Sequence, residues 1–283
     1  MDTRPLSLDD HDLLFDRLRS IDVPISEFSF ANLYLFRDTH RYEIVQGAEI
    51  FIRGRSYGGE TYIMPTRDVR EVDPRIMREM AAQADYLYPI AEEWLSAFAS
   101  GFETTFDEGD SDYLYLTERI ATYAGKKLHR KKNLLNFFRK HYRYEALPLT
   151  EDRIPDAIRV LNEWQEESGK GFTDTDFAAC RESLVRMEEL ALCGGIYYTE
   201  GEPSGFVHGE ELNGETYALH FAKALKKYKG IYQYIFSSFA GILPKKYRYL
   251  NFEQDLGKEA LRHSKESYFP EMKLRKYRVS LKR

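Results

Sequence analysis

Glu253 and Asp255 stand two apart where an apolar stretch, Tyr247–Phe252, gives way to a polar turn. At a strand's end that spacing points both side chains to one face. Two carboxylates there can hold a cationic group or take a proton from an attacking amine or hydroxyl. Asn251, just before them, can donate to a developing oxyanion or close a strand-end hydrogen bond. His220, inside the apolar stretch Tyr217–Ala222, reads either as a satisfied core ring or as a general base. Tyr268 is either a general acid or a packing residue, and Asp255 can equally cap the helix that follows it. A second set gathers at a basic glycine turn, where Lys226, Lys227, Lys229 and Gly230 run into Ile231 and Tyr232. A helix start of this kind offers backbone N–H groups and the positive end of the helix dipole to an anion. Arg262 and Lys265, three apart on one helix face, can hold phosphate or lie in solvent. The catalytic candidates are therefore Glu253, Asp255, Asn251, His220 and Tyr268. The anion-binding candidates are Lys227, Lys229, Gly230, Ile231, Tyr232, Arg262 and Lys265.

Other polar residues read more plainly. Glu210 and Glu211 precede the turn Asn213–Gly214 and are expected in solvent. Cys180 and Cys193 have no His or Asp spacing that suggests a nucleophile. The acidic loop Asp107–Asp112 lacks the twelve-residue EF-hand spacing. It reads as a solvated turn, and no metal site is expected.

The elements that position the candidates follow from periodicity. Tyr217–Ala222 has the length of a strand. Ile231–Leu243 reads as a helix with Ile231, Tyr234, Ile235, Phe239 and Ile242 on one face. Tyr247–Phe252 is the next strand. The helix carrying Leu261, Arg262 and Lys265 ends at Ser267–Pro270, because proline disfavours helical geometry in the residue before it. Upstream, Ala191–Thr199, Ser204–Leu212 and Glu215–Ala222 form a meander turning at Glu200–Pro203 and Asn213–Gly214. The first half reads as helix over Ser7–Ser20, Ser26–Phe36, Val72–Ala84 and Ile90–Ser100. Its strands fall at Tyr42–Val45, Ile50–Arg53, Thr61–Met64, Asp85–Pro89, Phe102–Asp107 and Tyr113–Leu116. Within Ser26–Phe36, Glu27, Ser29 and Asn32 either line a cleft or pair within the core. Leu274–Leu281 is a closing strand. The fold class is α/β, with mixed sheets in two domains: residues 1–125, a basic linking helix over 126–143, and residues 144–283.

The order strand, glycine turn, helix, strand, polar turn, helix resembles the GNAT acyltransferase fold. The stretches Gly230–Gln233, Asn251–Gly257, Leu261–Arg262, Lys265 and Ser267–Pro270, with Ser26–Tyr34 near the start, resemble one family more closely. It is the soluble bacterial family related to the C-terminal domain of phosphatidylglycerol lysyltransferase. The resemblance covers most of the chain, and the acidic turn is its most specific part. It implies two tandem GNAT-like acyltransferase domains, as in the Fem-type aminoacyl transferases. It implies a transferase that moves an aminoacyl or acyl group from a tRNA or CoA-type donor to an amine or hydroxyl acceptor. The donor, acyl-CoA or aminoacyl-tRNA, would be a substrate held by the anion-binding candidates, with no tightly bound cofactor. Tyr232 stands where the usual acetyl-CoA turn has a small residue.

Composition bounds these readings. The chain has 283 residues, a 43% hydrophobic fraction and a net charge of −5, so a wholly basic nucleic-acid protein is excluded and a local basic patch is not. Its 21 tyrosines and 18 phenylalanines point to aromatic-rich sheets. Two cysteines without CxxC spacing, and an N-terminus without signal-peptide character, point to the cytoplasm. No apolar run reaches the ~18 residues of a membrane span. The basic patch is Lys126–Tyr142, where Lys126, Lys127, Arg130, Lys131, Lys132, Arg139 and Lys140 interleave with Leu128, Leu134, Leu135, Phe137 and Phe138. Such a helix links domains, holds RNA phosphates, or makes peripheral contact with an anionic membrane. The alternative to a transferase is thus a non-catalytic binding protein of the same fold that works through this helix.

Overall fold

Alternating apolar residues between glycine and proline turns build most of the sheet, and longer amphipathic runs build the helices. The computed structural model describes residues 2–98 and 100–282. The first elements are β1 (Asp2–Pro5), α1 (His11–Arg19), α2 (Phe30–Leu35), α3 (Arg37–His40), β2 (Glu43–Gln46), β3 (Ile50–Arg55), β4 (Thr61–Pro65), α4 (Pro74–Ala81), β5 (Tyr86–Ala91), β6 (Phe102–Phe106) and β7 (Asp112–Leu116). Next come α5 (Thr117–Thr122), α6 (His129–His141), β8 (Tyr144–Pro148), α7 (Ile154–Ser168), α8 (Phe177–Val185), β9 (Cys193–Thr199), β10 (Glu202–Asn213) and β11 (Thr216–Ala224). The chain ends with α9 (Ile231–Ile242), β12 (Tyr249–Asn251), α10 (Glu259–Glu266), β13 (Met272–Leu274) and β14 (Lys276–Leu281).

The strands form two seven-stranded sheets, ordered β1-β2-β3-β4-β5-β14-β6 and β8-β9-β10-β11-β12-β7-β13. These are one topology used twice. In each sheet the fourth and fifth strands, β4 and β5 or β11 and β12, are parallel, and a helix, α4 or α9, lies between them in sequence. In each sheet the sixth strand is antiparallel to the fifth and comes from the other half of the chain. The duplication is therefore reciprocal: β7 leaves the first half for the second sheet, and β14 returns from the C-terminus to the first.

Packing divides the chain into two units accordingly. One comprises Met1–Asp112, Gln254–Leu261 and Lys273–Arg283, and the other comprises Tyr113–Glu253 and Arg262–Met272. The sequence places a boundary near residue 125 and the closing strand in the second half. The exchanged strands explain the difference, since a strand's partners depend on contacts that sequence separation hides.

The first unit has an apolar core that includes Leu14, Ile44, Ile52, Ile63, Met64, Leu87, Ile90 and Trp94. Lys276 is buried inside it with no exposure. Its ammonium lies 2.5 Å from Glu27 Oε2 and 2.6 Å from Asp112 Oδ1, and donates to Gln254 Oε1 at 2.9 Å. Ser26 adds hydrogen bonds from its N–H and Oγ to Asp112, at 2.7 and 3.0 Å. Tyr88 donates to Glu27 Oε1 at 3.0 Å. Burial works against the charged lysine, but the two carboxylates outweigh it and raise its pKa. Burial likewise raises Glu27, and the Lys276 charge opposes that rise. Asp112 and Glu27 thus serve the interior. The acidic loop is not wholly solvated, because Ser111 and Asp112 are fully buried. The helix expected over Ser26–Phe36 starts only at Phe30, capped by Ser29 Oγ accepting from Asn32 N–H at 3.0 Å. Residues 26 and 27 instead turn toward Lys276. The helix expected over Ile90–Ser100 is also displaced: β5 runs on to Ala91, and Glu92–Ala97 is a single 3-10 stretch.

The second unit has an aromatic core containing Tyr113, Tyr115, Tyr123, Phe138, Tyr197, Tyr217, Tyr234, Phe239 and Tyr268. α6 closes on α9 through it, with Phe138 stacked on Tyr234 at 4.8 Å between ring centres.

Candidate active site

β11 and β12 pair over only three positions, Thr216–Ala218 against Tyr249–Asn251. β12 then ends, while β11 runs on to Ala224 beside β10. The parallel pair therefore opens beyond Ala218, and His220 lies there on β11. Its orientation depends on a β-bulge. His208 opposes Phe221 and Gly209 opposes Leu219, so His220 is the extra residue. A bulge re-aims a side chain that strict alternation would send elsewhere. Gly209 makes room for it, since a Cβ at that position would lie 1.8 Å from Ala218 O.

The His220 ring is held at both nitrogens. Nδ1 lies 2.7 Å from Glu253 Oε1 and Nε2 lies 2.9 Å from Glu210 Oε1. The side chain of His220 is 1% exposed and that of Glu210 5%, whereas Glu253 keeps 18%, so Glu253 is the member that solvent reaches. Burial alone disfavours a charged ring. The hydrogen bonds and charges of Glu210 and Glu253 outweigh it and push His220 up to about 10. The ring is thus an imidazolium at neutral pH, with both N–H groups engaged. That is unsuited to a general base and suited to holding two carboxylates in place. His208 makes the contrast. It is fully buried against Ser183 Oγ at 2.7 Å, and burial together with the nearby charges of His220 and Lys223 pushes it down to about 3.

The Glu253 backbone is fixed as firmly as its side chain. Its φ of 59° is left-handed, a region that non-glycine residues occupy only when their surroundings demand it. Its N–H donates to Asn251 Oδ1 at 2.6 Å, and its carbonyl accepts from Lys265 Nζ at 3.1 Å and from Tyr113 N–H at 3.3 Å. Asn251, fully buried, accepts through Oδ1 here, which is the strand-end bond left open by the sequence. Lys265 braces the turn from α10.

The clamp makes stability depend on pH in a definite direction. The folded pKa of His220 lies above that of a free histidine, about 6.5. Its contribution is complete below pH 6.5 and is lost as pH rises toward 10. Denaturant titrations of wild type from pH 6 to 10 should show this decline, and His220→Gln should flatten it. An equal decline in both would contradict the clamp.

Other sequence candidates lie elsewhere. Asp255 is fully buried in the first unit, and its Oδ1 accepts from Gly257 N–H at 2.8 Å. It caps the local turn; α10 begins only at Glu259. The left-handed φ of Glu253 breaks the alternation that would align Glu253 with Asp255. Tyr268 is buried among Tyr115, Tyr123, Phe236 and Phe252, accepts from Gln233 Nε2 at 2.8 Å, and has its pKa raised by burial. That is a packing role. Arg262 is half-buried on α10.

At the glycine turn, Gly230 has a φ of 90°, and a Cβ there would lie 2.3 Å from Leu134 O on α6. The Ile231 N–H donates to Tyr228 O at 3.1 Å, and Tyr232 OH donates to Ala224 O at 3.4 Å. The turn packs against α6 at the glycine itself, where the sequence predicts an open anion-binding cleft. Lys227 sits 3.5 Å from Glu163, and Lys229 lies over the Phe137 ring at 4.7 Å. Gly230→Ala should therefore cost about 1–3 kcal/mol in urea denaturation through backbone strain and the Leu134 clash. A loss within ~0.5 kcal/mol, the range of a neutral surface change, would contradict the packing role.

Glu210 is the residue that sequence reasoning misses. Its position before a turn suggests solvent, yet it is 5% exposed and bonded to His220. The bulge at His220 decides this, and it leaves no period in the sequence.

The fold and this geometry can be set beside known proteins. The model of the family described as phosphatidylglycerol lysyltransferase, C-terminal, matches residues 19–280. The chain belongs to this family. A conserved protein of unknown function from Bacteroides thetaiotaomicron VPI-5482 is 28% identical, with a TM-score of 0.87 and all of both chains covered. FemX is 9% identical, with a TM-score of 0.61 over 100% of this chain and 98% of its own, a likeness of fold alone. An uncharacterized protein of Mycoplasmoides gallisepticum is 28% identical over 188 residues, covering 62% of this chain. The chain spans 57% of the length of that curated relative. The doubled sheet of this phosphatidylglycerol lysyltransferase C-terminal family member is a mixed α/β fold used twice. Among the described residues no helix is long and apolar enough to cross a membrane.

Proposed function

We propose that the chain is a transferase that moves an aminoacyl or acyl group from a tRNA or CoA-type donor to an amine or hydroxyl acceptor. The line Glu210–His220–Glu253 at the opening between β11 and β12 carries this reading. Glu253 is the carboxylate at the reacting centre. It attracts a cationic amine and takes its extra proton, so that the free amine attacks the donor ester or thioester. The donor C–O or C–S bond then breaks, and the tRNA hydroxyl or CoA thiol leaves with the second N–H proton. His220 and Glu210 are positioning residues that fix it. Membership of the phosphatidylglycerol lysyltransferase C-terminal family supports the reaction class.

Of the two donor types, tRNA fits α6 better. Lys126 and Lys127, in the 3-10 turn before α6, and Arg130, Lys131, Lys132, Arg139 and Lys140 on α6 pair with no carboxylate among the described residues. Lys131 instead lies over the Tyr268 ring at 3.7 Å, and burial lowers its pKa to about 8. Thirteen residues of helix span roughly 20 Å, longer than one diphosphate group. Leu135 and Phe138 are buried, so α6 has little apolar face left to enter a membrane. The RNA-holding binding protein remains the second reading, and α6 is what favours it. Binding of unfractionated tRNA across a salt series tests the donor. Lys126, Lys127, Arg130 and Lys132 changed together to Gln should weaken binding and lower the slope of log K against log salt by about 0.7–0.9 for each phosphate no longer neutralised. An unchanged slope, or tighter binding of CoA than of tRNA, would remove the RNA donor. Transfer assays on Glu253→Gln separate the enzyme from the binding protein.

A further inference from the structure

A cleft of about 480 Å³ opens in the first unit between α4 and the residues that follow β5. Its volume is in the range of small-molecule sites. Val69, Val72, Met77, Phe98 and Phe102 give it apolar walls. Three arginines, Arg70, Arg75 and Arg78, also line it. Two of them are already neutralised. Arg70 is bonded to Asp68 at 2.5 Å, and Arg75 to Asp73 at 2.6 Å. Arg78 has no carboxylate partner among the described residues. Its guanidinium lies over the Phe102 ring at 5.9 Å. Gly101 leaves the space it occupies, since a Cβ at that position would meet Arg78 Nη1 at 3.1 Å.

We infer that this cleft binds an organic anion with an apolar body and a single carboxylate head, such as a medium-chain fatty acid. The apolar walls take the chain by the ordinary hydrophobic effect. The planar guanidinium of Arg78 takes the carboxylate through two parallel N–H donors, a match that an ammonium does not offer. Arg70 and Arg75, bound to their own aspartates, leave room for one negative charge and not two. The site uses none of the residues of the Glu210–His220–Glu253 line, so it stands or falls apart from the transferase reading.

The test titrates decanoate, decanol, decyl phosphate and acetate into the full chain by calorimetry. Decanoate should bind saturably, with decanol and acetate each at least about tenfold weaker, one lacking the head and the other the body. Arg78→Gln, at an exposed position, should bring decanoate down to the decanol level, and Arg78→Lys should recover only part of the loss. Absence of saturable decanoate binding would overturn the site, as would decanol binding equally well or Arg78→Gln having no effect. Tighter binding of decyl phosphate than of decanoate would overturn the carboxylate assignment.

Discussion

Lys276→Met is expected to destabilise the protein by about 3–5 kcal/mol, the cost of leaving buried carboxylates without their cation. Glu27 and Asp112 both lie within 2.6 Å of the Lys276 ammonium, and all three are nearly or wholly buried. The cluster ties together segments near residues 26, 112, 254 and 276, so the loss should be cooperative. Urea denaturation followed by circular dichroism measures it. Adding Glu27→Gln and Asp112→Asn to Lys276→Met should recover part of the loss, because the uncompensated charges are then gone. A loss of under ~1 kcal/mol for the single variant, the worth of an exposed ion pair, would mean that the cluster is solvated.

The second large effect is on activity. Glu253→Gln should lower transfer by about 10²–10⁴-fold, the usual contribution of a positioned acid or base. The amide can still accept from the His220 ring but no longer balances its charge, so the melting temperature should fall moderately while activity falls far more. Glu210→Gln should cost less activity, since Glu210 reaches the centre only through His220. A Glu253→Gln variant that loses stability and activity in the same proportion would make the turn structural.

Much of the fold was legible in the sequence. Alternation gave the meander β9–β11, and the apolar face of α9 gave the helix after the glycine turn. The exchange of β7 and β14 was not legible. Each strand carries the apolar pattern of a sheet but nothing that names which sheet. Asp112 illustrates the same limit for charge: in an acidic loop it reads as solvated, and Lys276 and Ser26, both distant in sequence, make its burial tolerable.

The candidate site divides along similar lines. His220, Glu253, Asn251 and Lys265 stand out by residue type and by their place at strand and helix ends. The structure brings them together around the Glu253 turn. Glu210 joins them only because a bulge turns His220 toward it. Asp255, Tyr268 and Gly230 are equally conspicuous in sequence, yet each answers a local need: a turn, an aromatic core and a close helix contact. Residue type tells what a side chain can do, and its packing decides which of those roles is available.

Transfer from an RNA-linked donor at Glu253 is tested most directly by one assay. Unfractionated tRNA, charged with a labelled amino acid mixture, is incubated with wild type and with Glu253→Gln in the presence of amine and hydroxyl acceptors. Wild type should move label from tRNA to an acceptor, and Glu253→Gln, folded and still binding tRNA, should do so at least about 10²-fold more slowly. Label that stays on tRNA with wild type, or that leaves equally fast with Glu253→Gln, would contradict transfer at Glu253.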